Sequence, residues 1–166
     1  MLWKSPDEAD AFVARYADTI LRLAMTYSLS RADAQDICQD VFCRLLQSDL
    51  NFDSPAAERA YVLRSTINAC KDLLKSAWRR KHTALDHASH IPAPASPDPD
   101  DTLLRTVQAL SLRDREVIHL YYYEGYDTNE IADLLGISPA AVRKRLSRAR
   151  DKLKHELEGY GYETLY

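Results

Sequence analysis

The chain has 166 residues, 46% of them apolar and 28% charged, with 22 basic and 25 acidic side chains for a formal charge of −3. That length fits one ordinary domain or two small ones, and the composition excludes a collagen-like, disulfide-stapled or wholly disordered chain. No apolar run approaches the roughly 20 residues that span a bilayer, and the opening MLWKSPDEAD is acidic where a secretory signal needs an apolar stretch, so a soluble, cytoplasmic protein is expected.

The small net charge conceals an alternation. Residues 1 to 60 carry 6 basic and 10 acidic side chains, 61 to 90 carry 6 and 2, 91 to 135 carry 3 and 9, and 136 to 158 carry 7 and 3. A chain that is acidic in total is a poor indiscriminate coat for nucleic acid, but two compact basic stretches suit two separate contacts with a polyanion. Solvated helix faces would give the same charge pattern.

In chain order, Tyr16, Ile20, Leu23 and Tyr27 recur on one helical face. Ser30 with Asp33 forms a capping-box-like start for a second helix through Gln47, with Ile37, Val41 and Leu45 inward. Its outward side is acidic, carrying Asp33, Asp36, Gln39 and Asp40, so any partner of that face is a protein rather than DNA. A third helix is predicted from Ala60 to about Arg80. Its apolar row is Leu63, Ile67, Cys70, Leu74 and Ala77, and one residue along, Arg64, Asn68, Lys71 and Lys75 make a polar, cationic stripe continued by Arg79, Arg80 and Lys81. A solvated face explains that stripe equally well when it is read alone. Trp78 amid these cations reads as a packing residue, with base stacking as the alternative. Cys38, Cys43 and Cys70 lie among apolar residues and read as core thiols.

Residues 82–101 include HIPAPASPDPDD, which has no apolar periodicity, and read as a flexible, acidic, Pro-rich linker. Beyond it, Leu103, Leu104, Val107 and Leu110 form a short helix. Ser111 with Asp114 caps another, with Val117, Leu120 and Tyr121 inward, ending near Gly125; the Tyr121, Tyr122, Tyr123 run divides between core and surface.

The strongest local signal follows. Asp127 or Thr128 caps a short helix carrying Ile131, Ala132 and Leu135, Gly136 ends it in the left-handed conformation, and Ile137 plugs the turn. Ser138 then caps a longer helix with Pro139 in its first turn and Val142, Leu146, Ala149 and Leu153 inward. Short helix, glycine turn and longer helix spell a helix-turn-helix. A DNA-reading helix of this kind must leave basic and hydrogen-bonding groups outward, and Arg143, Lys144, Arg145, Ser147, Arg148 and Lys152 are placed to do so.

Catalytic readings find no footing. His82, His87 and His90 lack metal-ligand spacing, the four glycines form no phosphate-cradling loop, and no nucleophile stands out with a base, so neither catalytic residue, cofactor nor metal is expected.

Together the segments resemble the bacterial RNA polymerase sigma factors of the sigma-70 superfamily, in the extracytoplasmic-function (ECF) group, over about residues 10 to 158. DAQDICQDVFCRLL is similar to the region 2 signature that docks on the polymerase clamp helices. AYVLRSTINACKDLLKSAWRRK resembles the helix that reads the minus-10 element, and ALSLRDREVIHLYYYEGYDTNEIADLLGISPAAVRKRLSRARDKL resembles region 4, which reads the minus-35 element. The resemblance implies an all-α protein with two small helical domains. A region 2-like domain spans 1–81, a linker 82–101, a region 4-like domain 102–158 and a tail 159–166.

The resemblance further implies that Asp36, Gln39 and Asp40 meet the beta-prime clamp helices. It places Asn51 to Glu58 on a loop that captures a flipped minus-10 base, with Asn68 assisting, and the Arg64, Asn68, Lys71, Lys75 row on DNA. Arg143, Lys144, Ser147 and Arg148 fall at minus-35 reading positions, with Arg145 on the same helix. Implied partners are the core polymerase, including its beta flap, promoter DNA and an anti-sigma factor. Gln35 stands where the family has an acid, Tyr61 where it has a tryptophan, and SLRD replaces a familiar proline before REV. SLRDREV is also similar to LuxR-type regulators, stand-alone helix-turn-helix proteins that lack the region 2-like half.

Overall fold

The computed structural model describes residues 5–27, 29–83 and 99–159. Their regular structure is helical throughout, in the order α1 (Pro6–Thr26), α2 (Arg31–Gln47), α3 (Pro55–Thr83), α4 (Pro99–Gln108), α5 (Leu112–Ile118), α6 (Thr128–Leu135) and α7 (Pro139–Gly159), with a π-helical turn at His119–Tyr123. Two compact units divide the chain: residues up to Leu74 with Asp133–Gly136, and Lys75–Ala132 with the residues from Ile137 on.

In the first unit, Ser5 and Ser30 cap α1 and α2 by accepting from the Glu8 and Asp33 amides. The apolar rows read from the sequence meet in one core: Tyr16, Ile20, Leu23 and Tyr27 of α1, Ile37, Val41 and Leu45 of α2, and Leu63, Ile67 and Cys70 of α3 are buried. Each such aliphatic side chain contributes about 1.5–3 kcal/mol on leaving water. Phe12 joins them edge-on to Tyr16 and Phe42, at centroid distances of 4.9 and 6.0 Å.

Several boundaries and placements differ from the sequence reading. α3 begins at Pro55, not Ala60, because Ser54 accepts a hydrogen bond from the Ala57 amide and proline fits the first helical turn. Pro55 to Glu58 are therefore helix, and only Asn51–Ser54 remain of the expected loop. Cys43, two residues past the buried Val41, falls on the opposite side of α2 and is exposed; Cys38 and Cys70 are core thiols, and burial pushes Cys70 up to about 12. Trp78 is 60% exposed, contrary to the packing role read for it, because α3 has by then outrun its buried row: Leu74 and Ala77 are only half-buried. Helix also enters the expected 82–101 linker from both ends, α3 through Thr83 and α4 from Pro99. Residues 84–98, which carry the rest of that linker with His87 and His90, and the tail from 160 lie outside the described residues.

In the second unit, Ser111 caps α5 by accepting from the Asp114 amide. The helix then widens instead of running on toward Gly125. The Glu124 amide donates to the His119 carbonyl at 3.0 Å, and their side chains meet at 3.1 Å between Nε2 and Oε1. The wider turn shifts the register: Leu120 is buried, Tyr121 half-buried, and Tyr122 and Tyr123 are exposed. Gly125, with φ +76°, lets the chain leave the turn. Asp127 and Glu130 cap α6 reciprocally, each side chain accepting from the other's amide at 2.9 Å. Gly136 (φ +66°) ends α6, and the Ile137 amide returns to the Ala132 carbonyl at 3.1 Å. Ile131, Ala132 and Leu134 are buried on α6, and the expected Leu135 is only half-buried. Ser138 accepts from the Ala141 amide to cap α7, whose Val142, Leu146 and Ala149 are buried.

Candidate nucleic-acid interface

The helix-turn-helix is formed by α6 and α7. With Val142, Leu146 and Ala149 turned inward, the 3.6-residue period leaves Arg143, Lys144, Ser147 and Arg148 exposed. Arg143, Lys144 and Ser147 make no ion pair or side-chain hydrogen bond to another described residue, so their donors are available.

The other two arginines are not free cations. Arg145, read as outward, has a side chain only 18% exposed, and its Nη1 donates at 3.3 Å to Glu116 Oε1, whose side chain is 3% exposed. Arg148 donates from Nε to both oxygens of Asp114 at 3.1 Å and from Nη2 to Oδ1. Burial by itself would raise the Asp114 carboxyl, but the Arg148 hydrogen bonds and charge, with Ser111 and Lys152, outweigh it and hold the carboxyl below its ordinary value. Both acids belong to α5. The reason is energetic: a buried carboxylate needs a charged donor, and these arginines supply one to each acid. Arg150 is likewise occupied, donating to the Tyr122 hydroxyl at 2.6 Å with its guanidinium over the Tyr121 and Tyr122 rings.

The sequence reading missed Asp114 and Glu116 as the partners of Arg148 and Arg145. The signal available was two acids two apart in a helix whose neighbours are core residues, opposite arginines three apart.

On α3, Arg64, Asn68 and Lys75 are exposed and Lys71 half-buried, so the stripe lies on one outer face. On α2, Asp36, Gln39 and Asp40 are all exposed, opposite the buried Ile37 and Val41, and form no ion pair with a described residue. The structure thus brings each triad or row to one face of its own helix.

Between the start of α1 and the loop before α3 lies a cavity of about 280 Å³ lined by Glu8, Phe12, Arg15, Asn51, Phe52 and Glu58, among others. Glu58 Oε1 accepts from Arg15 Nη1 at 2.9 Å and from the Tyr16 hydroxyl at 2.8 Å, which fixes the first turn of α3 against α1. Burial first, then Glu58, pushes the Tyr16 phenol up to about 12. Phe52 packs on Tyr61, centroids 5.4 Å apart. Among the described residues no helix is long and apolar enough to cross a membrane, and no group of three His, Cys, Asp or Glu could hold a metal ion.

Residues 12–80 match the sigma-70 region 2 family and residues 100–153 the sigma-70 region 4 family. A probable RNA polymerase sigma factor, RfaY, of Xanthomonas campestris is 34% identical over 84% of this chain and 38% of its own length. The ECF RNA polymerase sigma factor SigE of Mycolicibacterium smegmatis is 28% identical over 93% and 63%, and the RNA polymerase sigma factor CarQ of Myxococcus xanthus 28% identical over 91% and 90%. The chain thus spans less than two thirds of the length of the first two. Among solved structures, CnrH in complex with the cytosolic domain of CnrY superposes with a TM-score of 0.66 at 25% identity, covering 94% of this chain and 91% of the other. RpoE in complex with the anti-sigma factor NepR from Bartonella quintana shares the fold, with a TM-score of 0.71 at 19% identity over 90% and 96%. With regions 2 and 4 both present and in that order, the chain belongs to the sigma-70 family, in its extracytoplasmic-function group.

Proposed function

We propose that the chain is a sigma subunit that directs bacterial core RNA polymerase to promoters in the cytoplasm and helps open them, with catalysis left to the polymerase. The observation that carries this is the pairing, in one chain, of an exposed acidic face on α2 with a capped helix-turn-helix whose Arg143, Lys144 and Ser147 are unengaged. Acids repelled by DNA suit a protein partner, and Asp36, Gln39 and Asp40 serve as the contact with the beta-prime clamp helices. The second unit reads the minus-35 element through α7 and meets the beta flap. Arg64, Asn68, Lys71 and Lys75 track the minus-10 element, where the cavity beside Asn51 and Phe52 takes a flipped base.

Region 2 then corresponds to about 1–81 and region 4 to 102–158, with 82–101 between them as a tether. An anti-sigma factor is a partner of the kind seen with RpoE of Bartonella quintana. The test is to mix the purified chain with sigma-free core polymerase and a library of bacterial promoter DNA. Promoter-dependent transcripts that vanish when the chain is omitted are expected. DNA binding with no transcripts would favour a stand-alone, LuxR-like regulator.

A further inference from the structure

We infer that Asp114 sets promoter specificity by positioning Arg148 to read a guanine, an inference that rests on the promoter-reading role proposed above. Asp114 lies on α5, outside the recognition helix, and its side chain is 1% exposed while that of Arg148 is 49% exposed. The carboxylate therefore cannot reach DNA, but the arginine can. What matters is which edge of the guanidinium the acid occupies. It takes the side edge, Nε and one Nη2 hydrogen. The outer edge, with one Nη1 hydrogen and the second Nη2 hydrogen, engages no described residue.

That outer edge is the pair of parallel donors that fits O6 and N7 of guanine in the major groove. A guanidinium is planar and delocalised, so fixing its side edge fixes the plane and direction of its outer edge. An unheld arginine at this position would keep its rotamer freedom and settle on any phosphate within reach, which gives affinity without sequence information. Asp114 removes that freedom before DNA arrives, and its negative charge discourages Arg148 from being bent back onto a phosphate. Lys144, one turn earlier, and Ser147, the preceding residue, share the exposed face, so the guanine belongs within the short element they cover.

The experiment uses intact holoenzyme, assembled from core polymerase and the full chain, to select bound DNA from a library randomised across the upstream element. Wild type, Asp114→Asn, Asp114→Ala, Arg148→Lys, Arg148→Ala and the Asp114→Ala/Arg148→Ala pair are compared, each checked for unchanged helicity. Wild type is expected to prefer guanine at one position by about 5- to 150-fold, the range of a good bidentate contact. Arg148→Lys keeps the charge but has only a point donor, so the preference at that position collapses while the others persist. Asp114→Asn and Asp114→Ala weaken the same position and no other, and Asp114→Ala adds nothing once Arg148 is alanine.

Three results would overturn the inference. Guanine preference untouched in the Asp114 variants would make the pair a packing feature only. A preference retained in Arg148→Lys, with uniform loss in Arg148→Ala, would make Arg148 a phosphate contact. Loss at every position in the Asp114 variants would show a general distortion of α7. A wild-type holoenzyme that selects no sequence would instead remove the promoter-reading role itself.

Discussion

Two charged helix faces, the acidic one on α2 and the basic one on α7, look alike as sequence: a row of ionised side chains opposite an apolar row at helical spacing. They differ in what lies beneath. The acids of α2 cover aliphatic side chains, and Asp36 and Asp40 form no ion pair among the described residues. The cations of α7 lie over α5, which contributes buried Asp114 and Glu116, and two of five in the Arg143 to Arg150 stretch are drawn onto those acids. A third, Arg150, lies over tyrosine rings. A stripe of like charge therefore overstates the free charge of a surface whenever the layer under it is polar. The α2 face keeps its whole charge for a partner, while the α7 face keeps Arg143 and Lys144 as unengaged cations and holds the rest in fixed geometry.

The largest effect expected from this contrast is on the unpaired acids. Asp36→Arg or Asp40→Arg reverses a charge that pairs with no described residue, so helicity and melting stay as they are. Like charges opposed across an interface cost several kcal/mol, which is a loss of about a hundredfold or more in affinity for core polymerase. Anisotropy of the labelled chain against core polymerase measures it. Unchanged affinity in both variants would remove α2 as the anchor.

The next effect falls on a paired residue. Arg145→Ala removes the charged donor at 3.3 Å from the buried Glu116 carboxylate, and losing a hydrogen bond to a charged group costs about 1.5–3 kcal/mol. Urea unfolding of the full chain should show that loss. An equal loss from Arg143→Ala, whose side chain has no partner among the described residues, would show that the buried acid is not the cause.

The reverse order is expected for DNA. Lys144→Ala or Arg143→Ala should weaken upstream promoter binding by holoenzyme by about 1–3 kcal/mol if each contacts a base, and leave unfolding unchanged. A loss that is the same for every DNA sequence would assign the residue to a phosphate.

The elements that were legible in the sequence were those whose signals are local. Ser30, Ser111, Asp127, Gly136 and Ser138 each cap or end a helix where expected, because a cap is decided by residues within one turn. The apolar rows of α1 and α2 are core for a similar reason, since helical period alone selects the face; on α7 Val142, Leu146 and Ala149 are core, but the expected Leu153 is only half-buried. The start of α3 was misplaced even though Ser54 and Pro55 are a local signal, because its apolar row begins only at Val62 and the period alone places the start close to it. The π-helical turn had no sequence signature: His119 and Glu124 close it across five residues, a spacing that α-helical templates do not test. The candidate site was legible as faces and not as pairings. That Arg148 would meet Asp114 and Arg145 meet Glu116 depends on how α5 lies against α7, which is set by packing across about thirty residues of chain.

The smallest effect, and the sharpest on the paired side of the comparison, concerns pH. The Asp114 carboxyl is held below its ordinary value in the folded chain, despite burial, by Arg148 above all. A carboxyl depressed on folding contributes stability that is complete above its unfolded value, about 3.9, and is lost as pH falls through the folded one. Acid titration of the native chain should therefore show part of its loss of stability below about pH 4. Asp114→Asn removes that part because the amide does not ionise. Its unfolding curve should be lower than wild type at pH 7 and approach it as the pH falls. If Asp114→Asn lost stability on acidification just as wild type does, the clasp of Arg148 on that carboxylate would carry no energetic weight, and the contrast between the two faces would have no energetic content.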